Sequence, residues 1–206
     1  MNVPLLITLY AGFTHAFETD HLLAVGNMVT QRSSIKLSLK DGMYWGLGHT
    51  TTILVIGLLA LVFRVNLPED YFRYFEATVG LMLIVLGIYR LWLYFKSKKA
   101  RIHDHLHPHS HPHKLAYGVG LVHGLAGSGA LVLLVMAQIK EPLGGMLYLM
   151  LFGMGSVLGM LLAAGLLSFP FGKKLMALKL LQIILSLASG LLCIAYGAWV
   201  MGKNLG

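Results

Sequence analysis

The chain has 206 residues, of which 57% are hydrophobic and 12% charged, with a formal net charge of +8. Soluble domains carry about one-quarter charged residues, so this balance excludes an ordinary water-soluble globule. The basic residues sit in short blocks between apolar runs, where they report membrane orientation instead of a nucleic-acid partner, and the lone Cys193 excludes a disulfide framework, a paired-cysteine zinc site and a dithiol redox couple.

Apolar runs over residues 4–27, 42–63, 74–95, 115–138, 144–168 and 179–201 predict six transmembrane helices, each near the roughly 20 residues that cross a bilayer. No alternating short segments suggest a membrane barrel, so the predicted class is all-α, a polytopic transmembrane helical bundle. The first run has no basic stretch before it and reads as a span, not as a cleaved signal peptide. It contains His15-Ala16-Phe17-Glu18-Thr19-Asp20-His21, four ionisable residues in seven positions. A charge at the bilayer centre costs about 2.5–3.5 kcal/mol, so such residues usually face the bundle interior and serve a pathway. The bland alternative is a His–Asp pair that only ties helices together.

At about 100° per residue, His15, Glu18 and His21 descend one side of an ideal helix, while Asp20 points well away from them. Either the helix is locally unwound, as transporter helices often are at their sites, or one carboxylate orients an imidazole that binds metal. His15, Asp20 and His21 are the expected metal ligands, with Glu18 either a ligand or an orienting partner.

The second span carries His49 within Gly46-Leu47-Gly48-His49-Thr50-Thr51-Thr52. His49 is a further expected ligand and Thr50 a candidate neighbour. After the third span comes a connection, residues 97–114, with His103, His105, His107, His109, His111 and His113 alternating with other residues. Pro108 and Pro112 oppose a helix, which predicts a mobile cytoplasmic segment that gathers divalent metal through neutral imidazoles, or else a solvated linker. The fourth span holds His123-Gly124-Leu125-Ala126-Gly127-Ser128-Gly129. His21, His49 and His123 lie at similar depths, so three spans could offer imidazoles to one layer; His123 and Ser128 stay open between metal contact and a tie between helices. The chain thus divides into spans one to three (residues 1–96), the His-rich loop (97–114) and spans four to six (115–206).

Eleven basic residues fall in the first, third and fifth connections: Arg32, Lys36, Lys40, Lys96, Lys98, Lys99, Arg101, Lys114, Lys173, Lys174 and Lys179. Four, namely Arg64, Arg73, Lys140 and Lys203, fall on the other side, and Arg90 can snorkel. The excess puts both termini outside the cytoplasmic membrane. The halves also echo each other: Gly12 and His15 match Gly120 and His123, Gly46 and Gly48 match Gly153 and Gly155, and Gly80 and Gly87 match Gly190 and Gly197. Matches in order at nearly constant offset predict two inverted three-helix repeats, with a site near the midplane between them.

Imidazole and carboxylate without thiolate suit nickel, cobalt or zinc, and do not separate them. No phosphate-binding Gly-x-x-x-x-Gly-Lys-Ser/Thr is present, and no His-Glu-x-x-His order marks a metalloprotease. An enzyme is therefore not expected, though an intramembrane metal- or haem-binding protein is a different class that could use the same histidines.

At His15, Asp20 and His21 the chain resembles the nickel/cobalt transporter family, whose signature is His, four residues, then Asp-His. Glu18 stands where that family usually has Asp. Gly48-His49-Thr50 looks like the family's Gly-His-Ser/Thr element, and the segment from His123 to Ser128 looks like that of six-span nickel permeases of the urease-accessory type. Larger members begin with an extra helix, so their inside N-terminus does not carry over. The resemblance implies a permease for Ni²⁺ or Co²⁺ with no resident cofactor, most simply an importer, the alternative being efflux. Its partners would be the metal ion, the bilayer, and cytoplasmic nickel acceptors or urease-maturation proteins.

The basic asymmetry has a direct test. Cysteine at Ser34 or Ser97 in a Cys193→Ser background is expected to resist impermeant thiol reagents in intact cells and to react in inverted vesicles; labelling from outside would reverse the orientation.

Overall fold

A computed structural model describes residues 5–29, 32, 34–62, 69–100, 112–138, 141–169 and 179–206. The described residues form α1 (Leu5–His15), α2 (Thr19–Val29), α3 (Ile35–Val62), α4 (Glu69–Ala100), α5 (Pro112–Gln138), α6 (Pro142–Ser168) and α7 (Lys179–Leu205). Helix is the only secondary structure among them apart from turns and one short 3₁₀ residue. Among the described residues four helices are long and apolar enough to cross a membrane, over Ile35–Leu61, Tyr71–Lys96, Pro142–Ser168 and Ile183–Leu205.

The solvent logic is inverted relative to a soluble globule. Leu58, Val85, Ile88, Met154, Leu166 and Leu192 are exposed on the outer faces, whereas His15, His21, Asp41, His49, His123 and Ser156 are buried. A surface that apolar belongs in lipid, and the polar groups turn inward because hydrocarbon offers them no partner. The protein is a helical membrane bundle.

Where six unbroken helices were expected, seven are found among the described residues, because the first span is interrupted at residues 16–18. No proline or glycine marks the interruption. Instead the backbone tightens by one residue: the Phe17 amide donates to the Thr14 carbonyl at 2.9 Å and the Glu18 amide to the His15 carbonyl at 3.0 Å, before the Leu22 amide resumes the α-pattern to Glu18 at 2.9 Å. Satisfying those groups locally is what makes a break tolerable at membrane depth.

A second departure lies at residue 112. Pro112 does not oppose a helix but begins one, since the first turn has no use for the amide that proline lacks. His113 is consequently in α5 and anchored, not in a mobile loop: its Nδ1 lies 3.0 Å from Asp41 Oδ1, and its ring stacks on Tyr44 at 5.1 Å between centroids. The other carboxylate oxygen of Asp41 accepts from Arg32 Nε. A fully buried carboxylate thus joins the connection before α3 to the start of α5. His103, His105, His107, His109 and His111 lie outside the described residues.

Contacts between helices follow a reciprocal pattern. α3 runs parallel to α5, and a methyl group on Gly48 would overlap the Tyr117 carbonyl oxygen while one on Gly120 would overlap that of Trp45. α1 runs parallel to α6, where Gly155 meets the Leu9 carbonyl and Gly12 that of Phe152 in the same way. α3 and α6 pack antiparallel, tied by Thr50 Oγ1 donating to the Gly153 carbonyl at 3.1 Å. α4 and α7 are also antiparallel, with Gly80 against Gly197 and Gly87 against Gly190. Close backbone approach through small residues is how helices associate where the hydrophobic effect is absent.

Removing the carboxylate that joins α3 to α5 should be costly. Asp41→Ala leaves Arg32 and His113 without their shared acceptor, and we expect a loss of about 2–3 kcal/mol, somewhat below the range for a fully buried pair because Arg32 keeps some exposure. The measurement is the thermal midpoint of detergent-purified protein, and an unchanged midpoint would show that the pairing is incidental.

Candidate metal centre

The break in the first span decides the geometry. It ends α1 on His15 and restarts the chain so that Asp20 and His21 stand in the first turn of α2, where a carboxylate also complements the amide end of the helix. On a continuous helix Asp20 would point away from His15. Here the His15 and His21 rings lie 4.6 Å apart between centroids, nearly edge to face.

His49 enters from α3, 5.3 Å from the His15 ring and 5.4 Å from that of His21. His123 enters from α5, 4.4 Å from His21. The close packing of α3 on α5 through Gly48 and Gly120 brings these two spans near enough for both rings to reach α2. One ligand atom each from His15, His21 and His49 lie within 4.8 Å of one another, and so do one each from Asp20, His21 and His123. His21 belongs to both sets.

The carboxylates serve different rings. Asp20 Oδ1 accepts the His21 amide at 2.9 Å and lies 3.0 Å from His21 Nδ1, while its Oδ2 sits 3.6 Å from His123 Nε2. Glu18 Oε1 is 2.8 Å from His15 Nδ1, yet more than half of the Glu18 side chain is exposed. Glu18 therefore orients His15 from outside the cluster, whereas Asp20 is part of it. In each pair the carboxylate favours the tautomer with the proton on Nδ1, leaving Nε2 as a lone-pair donor.

Six imidazole nitrogens then stand out. His15 Nε2, His21 Nε2 and both ring nitrogens of His49 and His123 are buried with no hydrogen-bond partner among the described residues. Buried polar atoms are satisfied in the great majority of cases, and leaving one unsatisfied costs about 1–3 kcal/mol. Convergent, unpartnered nitrogens beside one carboxylate are chemically a site for a borderline transition-metal cation.

Of the other candidates, Thr50 directs its hydroxyl to α6, so its interaction is a tie between helices. The Ser128 side chain lies outside the described residues. His123, left open by the sequence, sits fully buried against His21. Two aromatic walls escaped the sequence reading: Trp45 packs on His21 and His123, and Phe152 packs on His15. The signal for Trp45 was present, because it lies four residues before His49 on the same face of one helix; Phe152 comes from a distant span and left none.

Equilibrium binding of Ni²⁺ to purified protein tests these placements. Glu18→Gln is expected to weaken binding about 10- to 100-fold by releasing an orienting hydrogen bond, His49→Ala to abolish it, and Thr50→Val to leave it unchanged. Loss of binding in Thr50→Val would require its hydroxyl in the cluster.

Comparison with known proteins adds a relative of similar length. The chain is 34% identical over 182 residues to the urease accessory protein UreH of Bacillus sp. (strain TB-90), a match that covers 82% of this chain and 80% of that protein. It is 25% identical over 161 residues to the chloroplast protein FOR GROWTH AND FERTILITY 2 of Arabidopsis thaliana, covering 73% of this chain and 43% of that protein. No family model and no solved structure matches.

Proposed function

Because the chain belongs to the UreH family of urease accessory proteins, we propose that it is a nickel permease of the cytoplasmic membrane, able to take cobalt as well, that moves the ion inward. The observation that carries this reading is the convergence of four histidines, each with at least one buried ring nitrogen that lacks a hydrogen bond among the described residues, and Asp20 inside a membrane bundle. The ion is the cargo. A structural metal would call for a closed cage, but Asp20 keeps partial exposure at one edge of the cluster, with 22% of its side chain accessible. Service to urease maturation calls for metal delivered to the cytoplasm, which is the argument for uptake over efflux.

The chemistry of the ligands suits passage. Imidazoles bind Ni²⁺ and Co²⁺ without the near-irreversible grip of several thiolates, and His21, shared between two ligand sets, gives the ion a way to exchange partners without losing all of them at once. In this reading the two triads are successive stations. Trp45 and Phe152 keep the surroundings dry, so that ligand nitrogens, not water, hold the desolvated ion.

The reciprocal glycine contacts support two inverted three-helix halves, α1 to α4 and α5 to α7. The contact of Gly12 with Phe152 has its counterpart in that of Gly120 with Trp45, and Gly155 with Leu9 in Gly48 with Tyr117. Such a two-fold relation puts the cluster between the halves and lets one half rock against the other, exposing the site alternately to each face. In this reading both termini are outside.

Flux of radiolabelled nickel and cobalt into proteoliposomes of defined orientation tests the proposal. His15→Ala, Asp20→Asn and His21→Ala should each abolish nickel entry at matched protein content, because each removes a ligand without altering a span. Near-normal flux in all three would sink the site, and flux only from the cytoplasmic face outward would replace uptake by export.

A further inference from the structure

A cavity of about 420 Å³ opens between the break in the first span, α4 and α7. Its walls include Glu18 and Asp20 from the first span, Glu76 from α4, Ala126 from α5, and Tyr196 and Lys203 from α7. Asp20 is common to this cavity and to the imidazole cluster. Behind Asp20 stands the fully buried His123, whose Nε2 makes no hydrogen bond among the described residues and lies 3.6 Å from Asp20 Oδ2. The outer end reaches Asn204, close to the C-terminus.

Three carboxylates and one ammonium line this space. Lys203 sits with its Nζ over the Trp199 ring at 5.6 Å, and no ion pair joins it to Glu76 or Glu18 among the described residues. A cleft lined by an excess of one charge concentrates ions of the other sign. Non-helical backbone at membrane depth is tolerated where it lines a cavity, and residues 17 and 18 of the break do so.

The geometry points to this cavity as the entry vestibule for the metal cation, with Glu76 as the carboxylate that captures it and Asp20 as the group that passes it to His123 and His21. Glu76 was not among the residues expected to contact metal, and it lies on a helix that gives no imidazole to the cluster. The inference rests on the permease reading for the identity of the ion, but the vestibule itself is a statement about charge-selective access. On the expected topology it opens to the outer face. Glu18 then has two duties, orienting His15 from its Nδ1 side and adding charge to the route.

Two measurements decide it. In the first, Glu76→Gln in otherwise intact protein should raise the apparent KM for Ni²⁺ influx about 3- to 10-fold, an effect that shrinks at high ionic strength. The maximal rate, and equilibrium Ni²⁺ binding in detergent, should stay near wild type because the cluster is untouched. An unchanged KM, or a loss of equilibrium binding equal to the loss of influx, would overturn the role of Glu76.

The second measurement does not depend on nickel. Ala126→Cys in a Cys193→Ser background, purified in neutral detergent, is exposed to small thiol reagents of equal size bearing an ammonium or a sulfonate group. The ammonium reagent should react several-fold faster, and adding Glu76→Gln should cut that preference. Equal rates, or a preference indifferent to Glu76, would overturn the vestibule. If the wild-type chain moved no nickel while the reagent preference held, the permease reading would fail and the cation-selective cavity would stand.

Discussion

Six imidazole nitrogens without a hydrogen-bond partner among the described residues, enclosed by a bundle whose outside is apolar, are the constraint on which the rest of the molecule depends. Hydrocarbon cannot solvate them, and no described protein group gives them a hydrogen bond, although Asp20 Oδ2 lies 3.6 Å from His123 Nε2. Their burial would cost several kcal/mol if nothing compensated it. A cation that several nitrogens share would relieve that cost at one stroke, and this is why the proposed site and the polar interior are one feature.

The architecture can be understood as the means of holding those rings together. The four imidazoles come from three separate spans, and each span must come within backbone contact of its neighbour for rings of fixed length to meet. Gly48 and Gly120 let α3 and α5 approach closely, and Gly12 and Gly155 do the same for α1 and α6. Larger residues at these points would hold the spans apart and pull the rings out of mutual reach. Away from the cluster, Asp41 holds the opposite end of α3 to α5 through Arg32 and His113, so the two spans that carry His49 and His123 are fastened beyond the glycine contacts as well.

The break at residues 16–18 has a further effect. By turning the chain between His15 and Asp20, it splits the motif into an inner face, where the rings pack, and an outer face, where Glu18 remains exposed beside a cavity. Asp20 stands at the boundary between the two. A permeation site needs such a boundary residue, since an ion sealed behind apolar walls could neither arrive nor leave.

Composition and order alone determined that the chain is a membrane helix bundle, that His15, Asp20, His21 and His49 are its chemically expensive residues, and that its halves share a spacing of glycines. These were legible because the bilayer penalises polar groups so heavily that their presence in an apolar run carries information by itself. Periodicity could pose the mismatch between His15 and Asp20 but not resolve it, since nothing in Thr14 to His21 is a helix breaker; the break rests on packing against α6 and on hydrogen bonds within the turn. His123 could not be told from a tie between helices, because its role depends on the 4.4 Å approach of a ring 102 positions away in the chain. Pro112 departs from the expected loop for a related reason, since proline ends a helix or begins one according to what precedes it. Asp41 and Glu76 illustrate the limit most plainly: each is one acid near the end of a span, ordinary in sequence, and only the tertiary structure decides that the first is buried against Arg32 and His113 while the second lines a cavity that leads to Asp20.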